Sequence, residues 1–224
     1  MKKLTIKDIV KFRRKTEGPR KTFIHNLIIA RETGSDADAR DYWVRSLSTI
    51  KKAFRTNDTQ CISDKIDEVK EVLLATTHGN TIKQYNHNIR ILKNFEDFDF
   101  SIWKPTEEIK ILNQYKENKI LPIKGLPIEA TPSFVFLFNN SGNEEVGAIW
   151  FVAQKDGFKA LELGMFAEIM YIYLKTHFSK YDINPNFCIV VDLYNGTHID
   201  YLKLEEGAIH KVLNSTLDEI KKLV

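Results

Sequence analysis

Within the first 25 residues nine side chains are basic and two acidic, interleaved with Phe12, Phe23 and His25. Cations set among rings can contact phosphates and stack on bases, so Lys7, Lys11, Arg13, Arg14, Arg20 and Lys21 are the candidate nucleic-acid-binding residues. A solvated helix face is the alternative reading of that stretch. Carboxylates are the second chemical resource: Glu129, Glu145, Glu162 and Glu168, with Lys155, are the candidates for acid–base or metal chemistry. Glu168 stands out, because it lies between Ala167 and Ile169 on an almost wholly apolar segment, and a buried carboxylate needs a partner or a raised pKa. With no basic residue at i±3 or i±4, it is expected to form an ion pair with Lys155 or Lys159 across the fold; a cleft shared with Tyr171 is the alternative. Ser48-Thr-Ile-Lys51 has the spacing of a Ser–Lys nucleophile but sits on an amphipathic helical pattern, where it arises easily by chance. The six histidines have no metal-ligand spacing, and there is no phosphate-binding glycine loop, paired-histidine helix or nucleophile elbow.

The charge on the chain is unevenly distributed. Residues 1–90 carry 19 Lys and Arg against 11 Asp and Glu, whereas residues 91–224 carry 14 against 19. All eight arginines fall in the first part, an asymmetry that points to a polyanionic partner such as DNA or RNA. The longest apolar run, Ala148 to Ala153, is far shorter than the roughly 20 residues a membrane helix needs, so no membrane span is expected. Charged residues behind Lys2 and Lys3 interrupt any signal-peptide core, and a cytoplasmic protein is the expectation. Cys61 and Cys188 belong to no paired spacing and are read as small apolar residues. The excess of Lys over Arg and the abundance of Asn and Ile suit an AT-rich bacterial or phage genome.

The elements that position these residues follow from periodicity. Thr5 with Asp8 forms a capping-box pattern that predicts a helix over about Ile6 to Lys15, with Lys7, Lys11 and Arg14 as one positive stripe. Glu17-Gly-Pro19 is expected to break it before a second helix over Arg20 to Arg31. Ser35 with Asp38 repeats the capping pattern. Trp43-Leu47-Ile50-Phe54, Ile62-Ile66-Val69-Leu73 and Ile82-Tyr85-Ile89-Leu92 predict three amphipathic helices, read together as a bundle. Phe95 to Trp103 alternates acids with rings and is read as a linker anchored on the sheet, with a protein-docking surface as the alternative. Thr106 to Lys119 has helical character, and Ile120 to Lys124, containing Pro122, fits an edge strand.

The organising stretch is Leu126 to Asn195, in the order β-β-α-β: strands over Ser133 to Phe138, Glu145 to Ala153 and Phe187 to Leu193, with a helix over Leu161 to His177. Both faces of each strand are apolar, so the sheet should be covered on both sides. Asn195-Gly196 signals a hairpin to an edge strand over Thr197 to Leu204, and Ser215 with Asp218 is expected to cap a last helix. The fold class is therefore α+β or α/β: residues 1–100 a basic helical N-terminal region, residues 101–224 a mixed sheet covered by helices.

A hairpin whose first strand follows Pro132, then a helix and a further strand, resembles the core of the restriction-endonuclease-like, or PD-(D/E)XK, superfamily over about Leu126 to Leu193. In that family an acid follows the Pro, and an acid-x-Lys triplet on the next strand completes a Mg²⁺ site for phosphodiester hydrolysis. Carried across, the acid position is Ser133, the second acid Ala148 and the lysine Trp150, so the resemblance implies a degenerate member without the usual activity. The expected function is a non-catalytic nucleic-acid-associated protein needing no cofactor. One alternative is a Mg²⁺-dependent nuclease with relocated acids; another is a protein-interaction component of a mobile-element or phage-defence system, docking through Phe95 to Trp103.

Overall fold

Strands rich in Phe, Val and Ile on both pleat faces are stable only when packed on both sides. The computed structural model, which describes residues 3–32, 42–112 and 119–224, meets that requirement with helices on each face. In chain order the elements are β1 (Leu4–Thr5), α1 (Ile6–Arg14), α2 (Glu17–Glu32), α3 (Val44–Thr56), α4 (Gln60–Leu74), α5 (Gly79–Lys93), a 3₁₀ turn (Phe100–Trp103), β2 (Lys110–Leu112), β3 (Ile120–Ile123), β4 (Leu126–Glu129), β5 (Phe134–Asn140), β6 (Asn143–Val152), α6 (Ala160–His177), β7 (Asp182–Asp192), β8 (Thr197–Asp200), α7 (Leu202–Glu205) and α8 (Leu213–Lys221).

The large sheet has the order β2-β5-β6-β7-β8. Its β2-β5, β5-β6 and β7-β8 pairs are antiparallel, while β6 and β7 run parallel because α6 carries the chain across between them. Ser141 and Gly142, both at positive φ, close the β5–β6 hairpin as a two-residue turn. A small second sheet, β1-β4-β3, places Pro122 on its edge strand β3, where a missing N–H is tolerated. The expected β-β-α-β order is present, and β8 is an edge strand but stops at Asp200, where α7 takes over.

Alternate residues of the large sheet feed two cores. Phe134, Phe136, Phe138, Ile149, Phe151, Ile189 and Val191 pack with α3, α4, α5 and the 3₁₀ turn. Val135, Leu137, Val146, Ala148, Trp150, Cys188 and Val190 pack with α6, α1 and α8. The helices of the first hundred residues therefore share both cores with the sheet instead of enclosing one of their own. Eleven of the 18 residues of α6 are buried, since it lies between the large sheet and α1 and reaches the start of α8 through Glu168.

Several local expectations change. Pro19 does not end a helix; it sits in the first turn of α2, where its absent N–H has no helical partner to lose. The buried side of α5 is Asn88, Ile91 and Leu92 rather than Ile82 and Tyr85, because the Asn88 amide is satisfied: it accepts from the Ser46 N–H and hydroxyl and donates to the Tyr42 carbonyl. Lys110 to Leu112 is a strand paired with β5, not helix. The Ser35–Asp38 capping pattern lies outside the described residues. Phe95, Phe100 and Trp103 are each 1% exposed and complete the core over β6, in line with a linker anchored on the sheet, so the alternative of a docking surface there is withdrawn.

Candidate functional site

The capping box at Thr5 and Asp8 forms as the sequence implied: the Asp8 N–H donates to Thr5 Oγ1 at 3.2 Å and the Thr5 N–H to Asp8 Oδ2 at 2.9 Å. This sets the direction of α1, whose Lys7 and Lys11 face the end of the large sheet where β5 begins and β6 ends. A cleft of about 380 Å³ lies there, lined by Lys7 and Lys11 of α1, Trp43, Leu47 and Lys51 on α3 and its start, Glu129, Thr131 and Ser133 between the sheets, Trp150 to Ala153 of β6, and Phe166 of α6. Lys7 Nζ donates to the Ala153 carbonyl at 2.9 Å, a neutral acceptor that leaves its charge uncompensated. Burial holds the Lys7 ammonium below the usual lysine range, and the Lys11 charge adds to this; burial alone lowers Lys51. Among the described residues neither Lys11 nor Lys51 is within ion-pair distance of an acid. Glu129 is neutralised by Lys3 at 2.6 Å, and Asp8 is engaged in the cap, so the lysines leave the cleft positive.

The other basic candidates are taken up inside the fold. Arg14 makes a bidentate pair with Glu162, both contacts at 2.6 Å, and also donates to the Gly157 carbonyl. Arg13 donates to Thr216, and Arg20 pairs with Glu219, so both tie the first two helices to α8. Phe12 is fully buried beneath the Arg20 guanidinium and is not a base-stacking ring. Lys21 and His25 stay exposed on α2, away from the cleft-lining residues.

The acids do not gather. Glu145 starts β6 and bonds Asn140 and Asn184, whereas the cleft lies at the other end of that strand. Glu162 caps α6 and holds Arg14; burial opposes its charge, but Arg14 and the Lys159 N–H prevail and lower its pKa. Glu168 corrects its sequence expectation: it pairs with neither Lys155 nor Lys159, and Oε1 accepts the Val212 and Leu213 N–H groups, both at 3.2 Å, capping α8 in place of Ser215. Ser215 instead donates to the Val212 carbonyl. Lys155 is exposed on the loop after β6, where its charge is felt at His87.

Burial raises the Glu168 pKa, so folding favours its protonated form. That contribution is complete below the ordinary glutamate value and is lost as pH rises through the folded value. Gln at this position keeps a carbonyl for both N–H groups without the charge. Glu168→Gln is therefore expected to be at least as stable as the parent at pH 8, with its relative advantage shrinking toward pH 5; urea unfolding at both values reads this, and the opposite trend would contradict it.

The Mg²⁺ that the restriction-endonuclease-like resemblance implies does not fit these residues. Ser133 stands at the acid position, and its hydroxyl accepts the Phe151 N–H at 3.1 Å, locking β5 to β6. Ala148 is core, and Trp150 packs edge-on against Phe166. A divalent ion at Glu129 or Asp8 would have to displace Lys3 or unmake the cap, among ammonium groups that repel it. Among the described residues no three His, Cys, Asp or Glu side chains gather as a metal site.

Sequence reasoning passed over Lys51, because it appeared only as half of a chance Ser–Lys spacing. That pair does not form: Ser48 donates to the Arg45 carbonyl and lines a separate groove, while Lys51 faces the cleft. The available signal was a lysine one helical turn from Leu47 on the Trp43–Leu47–Ile50 side of α3.

No helix among the described residues is long and apolar enough to cross a membrane. Comparisons with family models, with curated proteins and with solved structures found no match to this chain.

Proposed function

We propose that this chain is a nucleic-acid-associated protein that holds a phosphodiester backbone at the end of its large sheet without cleaving it. The observation that carries the reading is the convergence of Lys7, Lys11 and Lys51, from two helices, on one cleft whose acids are already engaged. Lysines in that setting attract phosphate and release its counterions. The degenerate restriction-endonuclease-like core remains part of the proposal. Support comes from the order β2-β5-β6-β7, with α6 crossing between parallel strands, and from the cleft's place at the start of β5 beside the end of β6. Apolar residues at two of the three catalytic positions and a serine at the third support binding over hydrolysis.

The test is salt-dependent binding of DNA and RNA. Replacing Lys7, Lys11 and Lys51 together by Gln is expected to weaken binding of every sequence alike and to reduce the slope of log affinity against log salt by about 1 per lysine. Arg13→Gln is expected to affect stability rather than affinity, since Arg13 is held by Thr216. Because burial lowers the Lys7 and Lys51 pKa values, affinity should begin to fall at a lower alkaline pH than ordinary lysines would produce. An absence of salt-sensitive binding, or a triple variant that binds like the parent, removes the proposal.

A further inference from the structure

We propose that the cleft accepts one unpaired nucleotide, free or within a strand, with its phosphate among Lys7, Lys11 and Lys51 and its base against the wall formed by Trp43, Leu47 and Trp150. This rests on the reading above and specifies what part of a nucleic acid the site takes. Size is the first argument. A volume of about 380 Å³ lies at the small end of ligand pockets, suited to one compact group and too small for stacked base pairs.

Composition is the second argument. A site for phosphate alone would be polar throughout, whereas the lining of this one combines three lysines and Thr131 with indole and aliphatic surface. Glu129 adds a feature that a bare anion would not favour. One of its carboxylate oxygens takes Lys3, and the other has no protein hydrogen bond among the described residues, leaving an acceptor for a sugar hydroxyl or an exocyclic amine. An acidic peptide would satisfy the lysines but would bring no ring to the apolar wall.

The wall is also rigid. The Trp43 ring is held by Tyr42, His87 and Tyr194 at centroid distances of 4.7, 5.9 and 6.0 Å, and Trp150 by Phe166 at 5.4 Å. A pre-ordered wall saves the entropy of arranging side chains around a ligand. Bases in a duplex are already paired and stacked, and extruding one costs energy that an unpaired strand does not need.

The experiment is fluorescence anisotropy on the full chain with a labelled single strand and with its duplex, followed by competition with a nucleoside 5′-monophosphate, the matching nucleoside, inorganic phosphate and polyglutamate. The single strand is expected to bind at least about tenfold more tightly than the duplex, because no base must be extruded. The monophosphate should compete, and phosphate, nucleoside and polyglutamate should each compete much more weakly. A monophosphate that outcompetes every strand assigns the cleft to a free nucleotide; one that competes less well than the strand assigns it to unpaired nucleic acid. Leu47→Trp, which fills the apolar wall, should abolish monophosphate competition while circular dichroism shows the fold retained. Equal binding of duplex and single strand, phosphate or polyglutamate competing as well as the monophosphate, or a Leu47→Trp variant that still responds to it, overturns this inference and leaves the backbone-binding proposal standing. Binding of no nucleic acid at all overturns both.

Discussion

Replacing Asp192 by Ala is expected to remove on the order of 5 kcal/mol of stability, because three donors would lose a charged acceptor and each such bond is worth roughly 1.5–3 kcal/mol. Asp192 ends β7 with 0% exposure. Its Oδ2 accepts the Phe158 N–H at 2.8 Å and the Asn195 amide at 3.0 Å, and its Oδ1 accepts the Tyr194 N–H at 3.0 Å. One carboxylate thus joins the loop leading into α6 to the turn between β7 and β8. Burial raises its pKa even though these three hydrogen bonds favour the charged form. Gly157, at φ +68°, passes directly over it: a Cβ there would lie 2.4 Å from Asp192 Oδ2 and 1.9 Å from Asn195 Nδ2. Gly157→Ala should therefore break the same joint from the other side. Asp192→Asn should cost less than Ala, since it keeps one oxygen but turns an NH₂ toward a donor. Urea unfolding followed by circular dichroism reads all three, and a loss below about 1 kcal/mol for Asp192→Ala would mean that these hydrogen bonds contribute no more than an average one.

The second large effect is expected at Trp103. Its indole lies among Phe95, Phe98, Phe100 and Phe151 at centroid distances of 6.0, 4.4, 5.8 and 5.9 Å. Trp103→Ala should cost about 3–5 kcal/mol, the usual range for emptying a large aromatic site in a core. Trp103→Phe should cost far less. The indole N–H is buried without a hydrogen-bond partner among the described residues, so Phe removes an unsatisfied donor as well as some packing volume. Thermal and urea unfolding of the two variants gives the order. If Phe proves as damaging as Ala, the ring volume that Phe retains contributes nothing there, and the account of the indole N–H as an unsatisfied donor is wrong.

How much was legible depended on the range of each interaction. The helix over Leu161 to His177 was read to within one residue of its start, because an apolar segment of that length has few alternatives. The α1 cap was legible because Thr5 and Asp8 are three residues apart and satisfy each other. The α8 cap was not: a local pattern, Ser215 with Asp218, lost to Glu168, which lies 44 and 45 residues from the N–H groups it accepts. The basic candidates divided in the same way. Their stripe on α1 was visible from i, i+4 and i+7 spacing, yet nothing local distinguished Arg14, which pairs with Glu162, from Lys11, which lines the cleft.

From the sequence alone came the order of the principal strands and helices, the two-sided cover of the sheet, and the hairpin signalled by Asn195-Gly196, although its loop runs over four residues from Leu193 to Gly196. These depend on backbone preference and on the spacing of apolar residues within one element. Only the tertiary structure decided which charges are consumed and which remain: Arg13, Arg14 and Arg20 bound within the protein, Phe95 to Trp103 drawn into a core, and Lys51 brought across from α3 to join Lys7 and Lys11. A long side chain finds its partner only after two elements have packed. Their packing follows from apolar surface, which carries no record of where the charges beside it will fall.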